Sequence, residues 1–289
     1  VGIEDRWSRR YCINRAARFQ YRSTEGGSIM KANVAGLTLA IVALLCVGAL
    51  AEDRPNNTPP EGFTALFNGK DLTGWRGRQQ DLSPYKEAAF SKEDHEAKQA
   101  QWNADFKKHW RVDSEKGEIV NDGKGVYCTT DKDYGNFEMY IDWLMVSHNG
   151  DSGVYLRTYP QVQIWDPDNP REVKNGAPKG SGALWNNNPD NPGKWPLVKA
   201  DKPIGEWNTF HIKMVGNKVW VWFNDKLTVD GQVLDNYFDR SKPVLPTGPI
   251  ELQTHGSEMH FRNIYIKELP AGDDAHASAV KSTSTKHHG

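Results

Sequence analysis

Phe137-Glu138-Met139-Tyr140-Ile141-Asp142-Trp143 alternates apolar and polar residues at every step, and this alternation decides the fold class. Successive side chains on a strand point to opposite faces. The odd-numbered residues therefore face a core, while Glu138, Tyr140 and Asp142 face away from it. The strand extends to Val146. Upstream, Phe63 to Phe67 forms a short strand ended by the turn Asn68-Gly69-Lys70-Asp71, and Trp110 to Val112 and Glu118 to Val120 flank the turn Glu115-Lys116-Gly117. Downstream lie strands at 153–158, 162–165, 207–215, 218–224, 226–229, 250–254 and 259–269. Many short strands separated by turn residues predict an all-β sandwich of two antiparallel sheets. One stretch lacks the alternation. Residues 82–109 read as a helical insertion, with Ser91 and Asp94 at capping-box spacing and Ala97, Trp102 and Phe106 as its packing stripe.

The same period sorts the other strands. Tyr155 and Arg157 share a polar side. So do Gln161, Gln163 and Trp165 around inward Val162 and Ile164, and Glu251, Gln253 and His255 around Leu252 and Thr254. Four strands thus carry acids, amides, an arginine, a histidine or aromatics on one side. If they are neighbours, they build a polar groove on a sheet face. Carboxylates and amides bond vicinal hydroxyls, and aromatic rings stack on sugars.

The chain has 289 residues, 36 basic and 37 acidic side chains and a formal charge of -1. Without a basic excess, nucleic acid is excluded as a partner. Eleven Trp, ten Tyr and ten Phe favour strands and offer stacking surfaces. Met30-Lys31, the apolar run Val34 to Leu50 and Ala49-Leu50-Ala51 have the layout of an export signal, 30–51. Arg-rich residues 1–29 read as an upstream leader, 52–61 as a Pro-rich linker, 62–269 as the folded domain and 270–289 as a disordered tail. Cleavage after Ala51 leaves Cys128 alone in the mature chain, without an intrachain disulfide and without stable membrane insertion. The expected location is periplasmic or extracellular.

No Gly-x-Ser-x-Gly elbow, P-loop or dinucleotide fingerprint occurs. The domain has no His-x-x-x-His and no cysteine pair, so thiolate and di-His metal sites are excluded. No cofactor is required by any motif. A divalent ion held by carboxylates and a histidine stays open, with Glu138, Asp166 and His255 as the available set. Asn149-Gly150-Asp151-Ser152 lacks full calcium-loop spacing and reads as a turn.

The blocks GFTALFNGKDLTGW (62–75), DYGNFEMYIDWLMVSHNGDSGVYLR (133–157), PQVQIWD (160–166), GSGALW (180–185), GEWNTFHIKMVGNKVWVWFND (205–225) and GPIELQTHGSEMHFRNIYIKEL (248–269) together resemble the 3-keto-disaccharide hydrolase domain. The resemblance spans nearly all of 62–269. It implies a concanavalin A-like jelly-roll sandwich, a ligand on the concave face, and an exported bacterial protein acting on an oligosaccharide or glycoside. Laminarinase-type glucanases share this fold but carry a further Glu on the strand of Glu138 and Asp142. It is missing here, so a two-carboxylate retaining mechanism lacks its signature.

The substrate chemistry implied by the resemblance needs no strong acid pair. A ketone at C3 acidifies the C2 hydrogen, a base removes it, the C1 glycosidic oxygen leaves, and water adds back. On this reading His255 is base or acid, because its ordinary pKa lies nearest neutrality. Glu138 or Asp166 is its partner carboxylate or a metal ligand, and Arg157 stabilises the enolate or holds a hydroxyl. Gln163 and Gln253 orient the sugar. Tyr140, Asp142, Asp151, Tyr155, Trp165 and Glu251 are further substrate contacts, and Trp185 and Asn186 close over the ring from the loop 167–205. A non-catalytic, lectin-like carbohydrate-binding module remains the alternative, since the same sandwich serves both.

Overall fold

In the computed structural model, residues 55–270 are described, and they form two antiparallel sheets. The elements in chain order are β1 (Thr64–Ala65), β2 (Trp75–Arg78), α1 (Pro84–Glu87), α2 (Lys92–His109), β3 (Trp110–Asp113), β4 (Glu118–Asn121), β5 (Tyr127–Thr130), β6 (Phe137–Met145), β7 (Asp151–Leu156), β8 (Tyr159–Trp165), β9 (Asn208–Val215), β10 (Lys218–Phe223), β11 (Lys226–Val233), β12 (Ile250–Leu252) and β13 (Met259–Glu268). The eight-stranded sheet runs β11-β10-β9-β6-β13-β4-β3, with β1 on β13; the five-stranded sheet runs β2-β5-β12-β7-β8. The expected leader, signal segment and tail beyond Pro270 lie outside the described residues.

Along β6 the burial alternates without a break, with Phe137, Met139, Ile141, Trp143 and Met145 buried. They join Phe210, Ile212 and Met214 of β9 and Val219, Val221 and Phe223 of β10 in a single core cluster. Cys128, Val154, Leu156, Val162, Ile164, Ile250 and Leu252 contribute from the other sheet. Each such side chain removed from water contributes about 1.5–3 kcal/mol, so the two inner faces hold the sheets together as a jelly-roll sandwich. The polar residues of the alternating strands are left on two outer faces, one per sheet.

Two strands were not expected from sequence. Trp75-Arg76-Gly77-Arg78 carries one large apolar residue and Tyr127-Cys128-Thr129-Thr130 also lacks clear alternation, yet β5 pairs with both β2 and β12. The helical insertion is split at Ser91, whose hydroxyl accepts from the Asp94 backbone N–H at 3.0 Å. Trp102 and Phe106 are buried, but Ala97 is exposed and drops out of the expected stripe. The helix lies so close to β2 that a Cβ on Gly77 would stand 2.4 Å from the Trp102 carbonyl oxygen. Among the described residues no helix is long and apolar enough to cross a membrane.

Candidate active site

The alternation assigns side chains to faces of strands but not strands to sheets, and here the expected groove divides. β6 lies in the eight-stranded sheet, whereas β7, β8 and β12 lie in the five-stranded one. Glu138, Tyr140 and Asp142 therefore stand on the opposite outer face from Tyr155, Gln163 and His255. Their own partners confirm the separation. Glu138 contacts His211 (Oε1 to Nε2, 2.5 Å), Tyr140 stacks on the His211 ring at 4.3 Å, and Asp142 accepts from Thr209 and Asn263.

The outer face of the five-stranded sheet is assembled by register. Glu251 stands opposite Thr129 on one side and Tyr155 on the other. Gly153 stands opposite Gln163, and Asp151 opposite Trp165. Tyr127, Tyr155, Gln161, Gln163, Trp165, Glu251 and Gln253 are all buried, so this polar face is covered by the segments running over it. Hydrogen bonds satisfy most of these buried groups. The Tyr155 hydroxyl donates to Asp81 Oδ1 at 2.8 Å, Tyr127 reaches the same oxygen at 3.3 Å, and the two hydroxyls lie 3.2 Å apart. Gln253 Nε2 donates to the Tyr127 hydroxyl at 3.4 Å. Burial raises the pKa of both tyrosines, which stay protonated.

His255 stands at the open rim of this face. It follows β12 after Gln253, whose backbone N–H donates to Gly153 O, and precedes Gly256, whose N–H donates to Gly123 O. Thr254 Oγ1 donates to Lys124 O, so the loop is pinned on both sides of the histidine. Its Nδ1 faces Asp151 Oδ2 at 3.2 Å, and its side chain keeps 58 % of its surface exposed. A carboxylate at Nδ1 holds the proton there and leaves the Nε2 lone pair available. Hydrogen bonding to Asp151 raises the imidazole pKa. Desolvation opposes this, and the charges of Asp151, Asp81 and Glu172 add to the rise.

Glu251 does not face a ligand. It is fully buried in an ion pair with Arg78 (Nη1 to Oε1, 3.1 Å) and accepts from Thr129. Arg78 also binds Glu87 at 2.7 Å and the Leu82 carbonyl, which ties α1 down over the sheet. On the other side, residues 181–183 run along the β8 edge: Gln163 N–H donates to Ala183 O, and Gly182 N–H to Gln163 O. The Trp185 ring meets Trp165 edge-on at 5.9 Å, and Trp185 Nε1 donates to Asn175 O. Trp165 is buried, while Trp185 and Asn186 are half-buried beside it. The side-chain oxygens of Gln161, Asn186 and Gln253 have no protein partner among the described residues.

Two further expectations are corrected. Arg157 sits with φ 55°, and Thr158 with φ 77°, in the two-residue turn between β7 and β8, roughly 20 Å along β7 from Asp151. Its guanidinium donates to the carbonyls of Gly135, Gly216 and Leu245, so it bolts the end of the sandwich instead of meeting an enolate. Asp166 is buried and accepts from His148 Nδ1 and from the backbone N–H groups of Asn149 and Asp168. Burial pushes its pKa up, but these bonds outweigh that and lower it. It fastens turns. Glu138, Asp166 and His255 thus have three separate surroundings and do not form one metal site. Among the described residues no group of three or more His, Cys, Asp or Glu side chains could hold a metal ion.

Asp81, Tyr127 and Arg78 escaped the sequence reading. The last two sit on the two unexpected strands. Asp81 lies in the turn after β2 with φ 50°, a conformation that aspartate tolerates better than most residues, and no periodic pattern marks it.

A family model, the 3-keto-alpha-glucoside-1,2-lyase-like domain, matches residues 62–267. A 3-keto-disaccharide hydrolase of Bacteroides thetaiotaomicron is 24 % identical over 258 residues, covering 72 % of this chain and 79 % of the relative. The crystal structure of a candidate glycosyl hydrolase from Parabacteroides distasonis superposes with a TM-score of 0.52 at 25 % identity, covering 75 % of this chain and all of that one.

Proposed function

The chain belongs to the family of the 3-keto-alpha-glucoside-1,2-lyase-like domain, a carbohydrate-cleaving family, and on that footing we propose that it splits 3-keto-glycosides at the rim of the five-stranded sheet. The observation that carries the proposal is the Asp151–His255 pair, which engages Nδ1 at an exposed edge and leaves Nε2 without a hydrogen-bond partner among the described residues. The family name and the relative's name both point to a substrate with a ketone at C3. Such a ketone acidifies the neighbouring C2 hydrogen enough for an imidazole to remove it.

His255 Nε2 takes the C2 proton, the C–H electron pair forms the C1–C2 double bond through the enolate, and the C1–O bond breaks. C1 and C2 are adjacent, so the resulting imidazolium is close enough to protonate the departing oxygen. Water then adds across the double bond, its hydroxyl at C1 and a proton at C2, giving net hydrolysis. Asp151 stabilises the imidazolium that forms in the first step. Asp81, exposed and held by Tyr155 and Tyr127, is an acceptor suited to sugar hydroxyls. Trp185 supplies an apolar ring at the loop side.

The test is turnover of a 3-keto-glucoside by the mature chain and by His255→Ala. The variant is expected to lose turnover while unfolding at the wild-type temperature. Unchanged turnover contradicts the assignment; binding of ordinary oligosaccharides without cleavage by the wild type favours the lectin-like reading. The segment Met30 to Ala51 supports export of the mature chain, which N-terminal sequencing of the cell-free protein tests by reading Glu52 first.

A further inference from the structure

Behind Asp151 runs a short chain of amides. Gln163 Nε2 donates to Asp151 Oδ1 at 2.8 Å and lies 3.1 Å from Ile164 O and 3.3 Å from Ser152 O. Gln163 Oε1 accepts from Gln161 Nε2 at 2.5 Å. The two glutamines are 2 % and 4 % exposed, so neither offers its amide to a sugar at the open rim. Gln161 lies over Gly153: a Cβ there would stand 2.8 Å from Gln161 Cδ. Gln161 donates to Gln163 and keeps a buried oxygen without a protein partner among the described residues. Such an oxygen costs stability, and departures of this kind gather around functional sites.

We propose that Gln163, held in place by Gln161, is a positioning residue for His255: it fixes one Asp151 oxygen so that the other meets Nδ1 and leaves Nε2 facing outward. The expectation that Gln163 orients the sugar is thereby replaced. A carboxylate on an exposed rim otherwise samples several rotamers, and a pair that forms only part of the time holds neither the tautomer nor the ring direction. Gln163 anchors Asp151 from the buried side, where its three acceptors and one donor over-determine its place. This inference rests on reading His255 as the base.

The test uses the full mature chain with Gln163→Met, which keeps length and volume but removes the amide, and Gln161→Met, which removes only the support behind it. Nitrogen NMR of labelled histidine, with His255 assigned by loss of its signal in His255→Ala, gives its titration midpoint and tautomer directly. In Gln163→Met the midpoint should fall toward the ordinary imidazole range as Asp151 loosens, with Asp81 and Glu172 still in place, and the Nδ1–H form should lose population. With a 3-keto-glucoside, kcat should fall about tenfold or more while KM stays within about threefold. Gln161→Met should move every readout the same way by less, and it decides the matter if Gln163→Met does not fold. An unchanged His255 titration and tautomer in a folded variant overturns the proposal, whatever happens to thermal stability. If the wild type turns over no 3-keto-glycoside, the catalytic reading fails, while the NMR comparison still decides whether Gln163 governs His255.

Discussion

Asp151, the first residue of β7, and His255, in the loop just past the end of β12, meet Oδ2 to Nδ1 at 3.2 Å. Nothing in the linear sequence joins them. Their meeting follows from the antiparallel pairing of β12 with β7, which continues through the Gln253 N–H to Gly153 O bond.

Because hydrogen bonding to Asp151 is the largest cause of the raised His255 pKa, removing that charge lowers it. A base must be neutral, so kcat/KM rises with pH through this pKa. In Asp151→Asn the acidic limb should therefore move to lower pH, and the plateau should fall by on the order of 10²-fold as the imidazolium loses its partner. A pH–rate profile of both proteins checks this. The stability linkage has the matching sign. The pair's contribution is complete below the ordinary histidine pKa and is lost as pH rises through the raised folded value.

Glu138 provides the contrast. It pairs with His211 on the outer face of the other sheet, away from His255. Glu138→Gln should leave kcat/KM for a 3-keto-glucoside within about twofold of wild type. A steady-state comparison at one pH is sufficient, and a large loss would put the active site on the eight-stranded sheet.

Arg78 and Glu251 are both buried, and their pairing fastens α1 across the sheet. Arg78→Met leaves Glu251 with the Thr129 hydroxyl as its remaining hydrogen-bond partner among the described residues. Unpairing a buried charge in this way costs about 3–5 kcal/mol. Urea unfolding should show a lower midpoint, and His255 in the protein that remains folded should titrate as in wild type.

The sequence carried the fold well because the strands of the core are strictly periodic. Phe137 to Met145 displays which side is buried in its own letters. It carried the site less well, for reasons that are also physical. Period two tells which residues of one strand share a face, but the sheet a strand joins is set by long-range pairing. Glu138 and Tyr155 look equivalent in sequence and end on opposite sides of the molecule. Arg157 keeps the polar phase of β7 but falls beyond its end, in a left-handed turn where its side chain finds main-chain carbonyls. Tyr127 and Arg78 were missed because their strands owe their place to neighbours on the sheet and not to their own composition. Gln163 and His255 are legible from strand alternation, whereas Asp151 reads as a turn residue although it opens β7, and the chain of contacts linking the three is not legible at all.

The most direct measurement of the central claim is deuterium uptake at C2 of the released sugar when the protein is given a 3-keto-glucoside in heavy water. Abstraction at C2 followed by hydration predicts one deuterium at C2 of each product molecule, at a rate that His255→Ala abolishes. Release of sugar with the C2 hydrogen retained would mean direct displacement at C1, and the elimination account would be wrong.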